Sequence, residues 1–158
     1  MVSVDQSPTR FIEGTNIELI NETIERGKIR FAIFDFDGTL SLIREGWQDV
    51  MIPMMVEILK ETGTQESEDE LLAIVKDYVT HLTGKQTIYQ MFELKAQVEK
   101  RGGVAKEPVA YKHQYLDLLW DRIQHRVDGL KDGSYNPEDY VIPGTYALMN
   151  ALKDRGVE

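Results

Sequence analysis

The chain has 158 residues, of which 18 are Lys or Arg and 27 are Asp or Glu, so its formal net charge is −9. Nucleic acids and anionic membrane surfaces are bound by clustered basic side chains, so this acidic balance argues against either partner. The absence of cysteine excludes disulfides, thiolate nucleophiles and Cys-ligated metals. Because no apolar run is long enough to span a bilayer, we expect a cytoplasmic protein.

The N-terminal region predicts a mobile tail followed by a short helix. Residues 1–14 are polar enough to form the tail. Thr15 and Glu18 have the spacing of a capping box, and apolar residues follow at helical spacing as far as Ile24. Gly27 stands where a helix commonly ends.

Residues 29–36 predict a buried β-strand. They are apolar, β-branched or aromatic on both alternating faces, which is typical of a parallel strand covered by helices on both sides. The run leads into Asp35-Phe36-Asp37-Gly38-Thr39, where Gly38 permits a sharp turn. The pattern favours an α/β class of fold.

The rest of the chain predicts helices, because its apolar residues recur every three or four positions. The predicted segments are Trp47–Leu59 with a bend near Pro53, a helix capped by Ser67 that closes near Gly84, Ile88–Val98, Pro108–Val127, and Thr145–Arg155. Residues 41–140 would form a helical bundle inserted between two parts of an α/β core, 15–40 and 141–158. Since one strand cannot form a sheet, we expect the N-terminal portion of a longer protein; a small helical protein with one edge strand is the alternative.

Asp35 and Asp37 are the clearest candidates for catalytic side chains. Residues i and i+2 of a strand face the same way, so both carboxylates can point into one crevice at the end of the strand. Their mutual repulsion would be relieved by a divalent cation or a shared proton. A metal-bound carboxylate can attack phosphorus, and a protonated one can donate to a leaving oxygen. The turn at Gly38 and Thr39 is expected to present N–H groups to an anion. A strand-ending turn without chemistry is the alternative.

These residues carry a family resemblance. Phe31-Ala32-Ile33-Phe34 followed by Asp35-Phe36-Asp37-Gly38-Thr39-Leu40 resembles motif I of the haloacid dehalogenase superfamily. The helical block that follows is similar to the type-1 cap of that superfamily, and residues 141–157 are similar to the helix that precedes its motif II. The resemblance implies a Rossmann-like core with an α-helical cap.

The same resemblance implies site residues and a cofactor. Asp35 would be the nucleophile and a Mg²⁺ ligand, and Asp37 would be the general acid and base, with its main-chain carbonyl as a second ligand. Phosphate would be bound at Phe36, Asp37, Gly38 and Thr39. The family's motifs II, III and IV would lie beyond Glu158, so we expect these 158 residues alone to be inactive.

Three residues of the helical block are candidate substrate contacts: Arg44, Trp47 and Lys85. The alternatives are a solvated charge, a core aromatic and a solvated turn. The expected function of the intact protein is Mg²⁺-dependent hydrolysis of a small phosphorylated metabolite through an aspartyl-phosphate. A phosphomutase and a non-catalytic binding module are the alternatives, and the sequence predicts no oligomeric state.

Overall fold

The computed structural model describes residues 10–21, 23, 25 and 27–158, and helix dominates it. The elements, in chain order, are β1 (Arg10–Phe11), β2 (Glu18–Leu19), α1 (Gln48–Lys60), α2 (Glu68–His81), α3 (Thr87–Lys100), α4 (Pro108–Asp132), a 3₁₀ turn (Pro137–Tyr140) and α5 (Thr145–Asp154). The chain divides into two compact units, one of Phe34–Tyr146 and one of Met1–Ile33 with Ala147–Glu158. The helix-dominated class is therefore established, and the Rossmann-like core remains a prediction.

The unit Phe34–Tyr146 is built around a four-helix core. Helix α1 packs against α2 and α4, and α3 packs against α4. The buried apolar side chains of the described residues all lie on these helices, and they are Met51, Met54, Met55, Val56, Ile58, Leu59, Leu71, Val75, Tyr78, Val79, Met91, Leu94, Val98, Tyr111, Tyr115, Leu119 and Ile123. The predicted helical periodicity of this block is confirmed.

Local signals in the sequence set several helix ends. Ser67 and Glu70 form the predicted capping box, in which the Glu70 N–H donates to Ser67 Oγ (3.3 Å) and the Ser67 N–H donates to Glu70 Oε2 (2.7 Å). Gly133 ends α4 with a φ of 79°, which only glycine adopts without strain. Helix α4 runs past the predicted end at Val127 as far as Asp132, and the Tyr135 ring lies against its last turns at Gly129.

The predicted helix over Thr15–Gly27 is wrong where the structure describes it. Strands β1 and β2 pair antiparallel, with Arg10 opposite Leu19. The Thr15 hydroxyl donates to the Ile12 carbonyl (2.9 Å) and accepts from the Ile17 N–H (3.2 Å), so it stabilises the turn between the strands instead of a helix. Ile24 and residues 1–9 of the predicted tail lie outside the described residues.

The predicted strand over residues 29–36 is also not formed as a buried element. Within the unit that contains it, the Ala32 N–H donates to the Glu158 carbonyl and the Glu158 N–H donates to the Arg30 carbonyl, both at 2.8 Å. This is the hydrogen-bond pattern of a parallel pair, but it extends over a single residue. Ile33 is 99% exposed, and Ile29 and Phe31 are exposed as well. Without neighbouring strands among the described residues, the apolar pattern alone does not bury this segment.

Helix α5, Thr145–Asp154, is confirmed to within a residue of its predicted end, and no residue of it is buried. Among the described residues, no helix combines the length and apolar character that a membrane crossing requires.

Candidate active site

A tight turn carries the two aspartates of the Asp-x-Asp motif. The Phe36 carbonyl accepts hydrogen bonds from the N–H groups of Leu40 (3.0 Å) and Ser41 (2.9 Å), and Gly38 takes a φ of 77°. Ser41 is buried and forms bridges with both Asp37 and Val141. The hydrogen bonds to the Phe36 carbonyl close the turn, and the β-bridge between Ser41 and Val141 anchors the end of the loop.

The carboxylates of Asp35 and Asp37 have different neighbours. Arg44 donates from Nη1 to Asp37 Oδ2 at 2.8 Å, in an ion pair whose two side chains are each 43% exposed. Thr39 donates from its hydroxyl to Asp35 Oδ2 at 3.5 Å, which is a weak contact. Arg44 therefore offsets the repulsion between the two aspartates on the Asp37 side.

The N–H groups of Gly38 and Thr39, which the sequence predicts to face an anion, both have partners within the turn. The Gly38 N–H donates to the Ser41 carbonyl at 2.9 Å, and the Thr39 N–H is directed at the Phe36 carbonyl at 3.4 Å. Both groups are used to close the turn. The N–H groups of Phe36 and Asp37 have no partner among the described residues, so they are the ones available to an anion.

Helix α4 holds the segment that presents Arg44. Arg126 donates from Nη1 to the carbonyls of Ile43 (2.8 Å) and Glu45 (3.0 Å), the two residues that flank Arg44. Arg122 pairs with Asp49 at the start of α1 (3.0 Å). The loop between the motif and α1 is thus tied to a long, well-packed helix at two points.

The two aspartates face a cavity of about 300 Å³ within the unit Phe34–Tyr146. Its lining includes all three substrate contacts suggested by the sequence, Arg44, Trp47 and Lys85. Trp47 also packs against the hydrophobic core, so the core-aromatic alternative is confirmed, and its contact with a substrate stays a prediction. The volume is at the lower end of the range of roughly 300–1,000 Å³ that small-molecule sites span.

The corner between α2 and α3 forms another wall of this cavity. Thr83, Gly84, Lys85 and Thr87 line it, with Gln90 from the first turns of α3. The corner is a turn in which the Lys85 N–H donates to the Leu82 carbonyl (3.1 Å), and Gly84 takes a φ of 86°. The Lys85 side chain makes no ion pair within the described part of the chain.

Tyr115 lines the cavity from α4 and is 5% exposed. Its hydroxyl has no hydrogen-bond partner among the described residues. Burial raises the pKa of Tyr115 to about 12, an effect that the nearby Arg44 opposes and Asp37 reinforces. At neutral pH the hydroxyl is therefore protonated and can donate a hydrogen bond.

The oxygen atoms near the motif suit Mg²⁺ only as a partial set of ligands. Across residues 10–21, 23, 25 and 27–158, no group of three or more His, Asp or Glu side chains could share a metal ion. Among the described residues, the Asp35 carboxylate makes no ion pair, and the Asp37 main-chain carbonyl accepts no hydrogen bond. Mg²⁺ commonly takes one or two carboxylates and completes its shell with water and substrate phosphate oxygens. The Asp35 carboxylate and the Asp37 carbonyl fit this kind of partial coordination.

Gln90 and Tyr115 are cavity residues that the sequence pattern did not single out. Both occur on predicted helices, and Tyr115 fits the apolar stripe of α4 like any core residue. Gln90 lies four residues before Leu94, on the buried face of α3. A polar residue on a buried helix face was the available signal.

Comparisons with protein-family models, curated proteins and solved structures found no match to this chain.

Proposed function

We propose that the intact protein is a Mg²⁺-dependent phosphatase of the haloacid dehalogenase type, acting on a small phosphomonoester. The observation that carries the proposal is the meeting of Asp35 and Asp37 with Arg44 and Lys85 around one small cavity. Two acidic side chains provide a nucleophile and an acid, and two basic side chains provide positive charge for an anionic substrate. A turn with a purely structural role does not require two acidic and two basic side chains around one cavity.

The reaction would proceed in two steps. A carboxylate oxygen of Asp35 attacks phosphorus, the bond to the leaving oxygen breaks, and Asp37 donates a proton to that oxygen. Asp37 then accepts a proton from water as the water attacks the phosphorus of the aspartyl-phosphate. That attack releases phosphate and regenerates the Asp35 carboxylate. Both residues end in their starting states, as a catalyst requires.

Arg44 and the free N–H groups of Phe36 and Asp37 would bind the phosphoryl oxygens. Arg44 lies in a loop whose flanking carbonyls Arg126 binds, so its backbone is held in place. Its Nη1 would share its contact with Asp37 Oδ2, now 2.8 Å long, with a phosphoryl oxygen. Bound Mg²⁺, held by the Asp35 carboxylate and the Asp37 carbonyl, would supply additional neutralisation of the phosphoryl charge.

The test is hydrolysis of a panel of phosphomonoesters by the intact protein, with and without Mg²⁺. We expect activity that requires Mg²⁺ and that falls by at least about a thousandfold in Asp35→Asn, because removing a nucleophile leaves only residual catalysis. Asp77→Asn, an exposed carboxylate of α2 outside this cavity, is the matched control and should retain activity. Full activity in Asp35→Asn would overturn the proposal.

A further inference from the structure

We propose that the substrate carries a second anionic group, a carboxylate or a second phosphate, and that Lys85 binds it. This inference rests on the proposed function and extends it by naming the substrate class. Three features of the cavity wall formed by α3, α4 and the α2–α3 corner support it.

The first feature is the state of Lys85 itself. The Lys85 side chain lines the cavity and makes no ion pair with a described residue. Elsewhere on the bundle, Lys60 pairs with Glu57 and Glu68, and Lys95 pairs with Glu107. An exposed lysine without a partner is ordinary on a surface. Beside a cavity, however, it adds a positive charge that no acidic side chain of the wall neutralises.

The second feature is the start of α3, which immediately follows Lys85. Gln86, the N-cap residue, makes no side-chain capping bond, and the first turn contains no acidic residue. The N–H groups of Thr87 and Ile88 have no partner among the described residues. These groups carry the partial positive charge of a helix N-terminus. They therefore reinforce the charge of Lys85 at the same wall.

The third feature is independent of both and consists of two polar side chains that line the cavity from α3 and α4. Gln90 is 3% exposed and makes one long hydrogen bond, from Nε2 to the Val79 carbonyl at 3.4 Å. Tyr115 is 5% exposed, and its hydroxyl has no hydrogen-bond partner among the described residues. Since no buried side-chain nitrogen or oxygen of the described residues lacks a partner, the Tyr115 hydroxyl is open to the cavity that this residue lines. There it can donate to an acceptor oxygen of a ligand.

The two sets of groups enter the cavity from different elements. Asp35 and Asp37 come from the motif loop, whereas Lys85 and Gln90 come from the α2–α3 corner and α3. A substrate whose charge lies entirely on the transferred phosphoryl group would leave the second set without partners. A phosphomonoester with an anionic tail satisfies both sets.

The experiment compares three substrates of similar length on the intact protein: glycerol 3-phosphate with a neutral tail, 3-phosphoglycerate with a carboxylate, and propane-1,3-diol bisphosphate with a second phosphate. We expect a higher kcat/KM for at least one anionic tail, and the ranking of the two anions identifies the source. Lys85→Met should lower kcat/KM for that substrate on the order of tenfold further than for the neutral one, as expected for loss of a charged hydrogen bond. Lys76→Met, on the exposed face of α2, is the control and should change neither.

Binding of the same compounds to Asp35→Asn, measured by calorimetry, separates this inference from the proposed function. Tighter binding of an anionic tail that Lys85→Met abolishes supports the subsite, even if no variant or substrate shows hydrolysis. Equal binding of neutral and anionic tails, or an equal effect of Lys85→Met on both, overturns the subsite while leaving hydrolysis at Asp35 intact.

Discussion

Asp35 and Asp37 are suited to different tasks because their carboxylates have different surroundings. Asp37 is held by Arg44 at 2.8 Å, whereas Asp35 receives only a weak contact from Thr39 at 3.5 Å. A nucleophile needs a lone pair that is not committed to a strong donor, and Asp35 has one. The geometry thus leaves Asp35 the freer of the two carboxylates for the proposed nucleophilic attack.

The Tyr115 hydroxyl is expected to affect stability at high pH but not at neutral pH. Because its hydroxyl has no hydrogen-bond partner among the described residues, Tyr115→Phe should change the free energy of unfolding at neutral pH by less than about 0.5 kcal/mol. Burial raises the pKa of Tyr115 to about 12, above the value of about 10 in an unfolded chain. The unfolded state therefore loses its proton first, and stability falls as the pH rises from about 10 through about 12.

Denaturant unfolding of the wild type and of Tyr115→Phe over this pH range checks that prediction. The wild type should lose more stability than the variant, since only the wild type carries this phenol. Parallel curves would show that Tyr115 ionises as readily in the folded protein as in the unfolded one.

Single residues of the site were predictable to different degrees. Asp35 and Asp37 could be singled out because a pair of acids after an apolar run is rare without a purpose. Lys85 could be proposed because a basic residue in a short inter-helix turn can reach a neighbouring cavity. Tyr115 could not be found, because an aromatic residue at helical spacing is indistinguishable from core until the cavity beside it is known.

At the scale of elements, an ion pair joins the end of α3 to the segment before α2. Arg101 donates to Glu66 from both Nε (2.5 Å) and Nη2 (2.8 Å), and the Arg101 side chain is only 5% exposed. The hydrogen bonds from Arg101 lower the pKa of Glu66, with a further contribution from Thr64. Such a two-point contact fixes the orientation of both partners.

This pair predicts an acid-dependent loss of stability. A depressed carboxyl pKa contributes stability that is fully present above the unfolded value of about 4.5 and is lost as the pH falls through the folded value. Urea unfolding from pH 6 to pH 3 should therefore show a steeper decline for the wild type than for Glu66→Gln. Equal declines would mean that Glu66 does not engage Arg101 in solution. Glu61→Gln, an exposed carboxylate without an ion pair, is the control.

The success of helix prediction and the failure of strand prediction share a cause. Helices α1–α4 follow from apolar periodicity and local caps, all of which involve residues within a few positions of one another. Residues 29–36 have the composition of a buried strand, but a strand is completed by partners distant in sequence. The hairpin of β1 and β2 was missed for a related reason, because Thr15 and Glu18 fit a capping box equally well.

At the scale of the whole molecule, the buried apolar side chains are concentrated on α1–α4. Native-state hydrogen exchange on the 158-residue chain should therefore show its strongest protection at core positions such as Leu71, Val75 and Met91. Residues 29–33, with exposed side chains and few backbone hydrogen bonds, should exchange orders of magnitude faster. Protection of residues 29–33 equal to that of α2 would contradict this description.

The chain is acidic overall, whereas the cavity is lined by two basic residues. On the proposed function, a net charge of −9 would repel a phosphorylated substrate, so binding would depend on local positive charge and a divalent cation. Arg44 and Lys85 supply that charge beside the two aspartates.

Trapping the covalent intermediate tests whether Asp35 is the nucleophile. The intact protein is mixed with para-nitrophenyl phosphate carrying a labelled phosphoryl group in the presence of Mg²⁺, and the reaction is stopped with acid. We expect label on the peptide that contains Asp35, and none in Asp35→Asn. Hydrolysis without labelled protein, or label on a residue other than Asp35, would contradict that role.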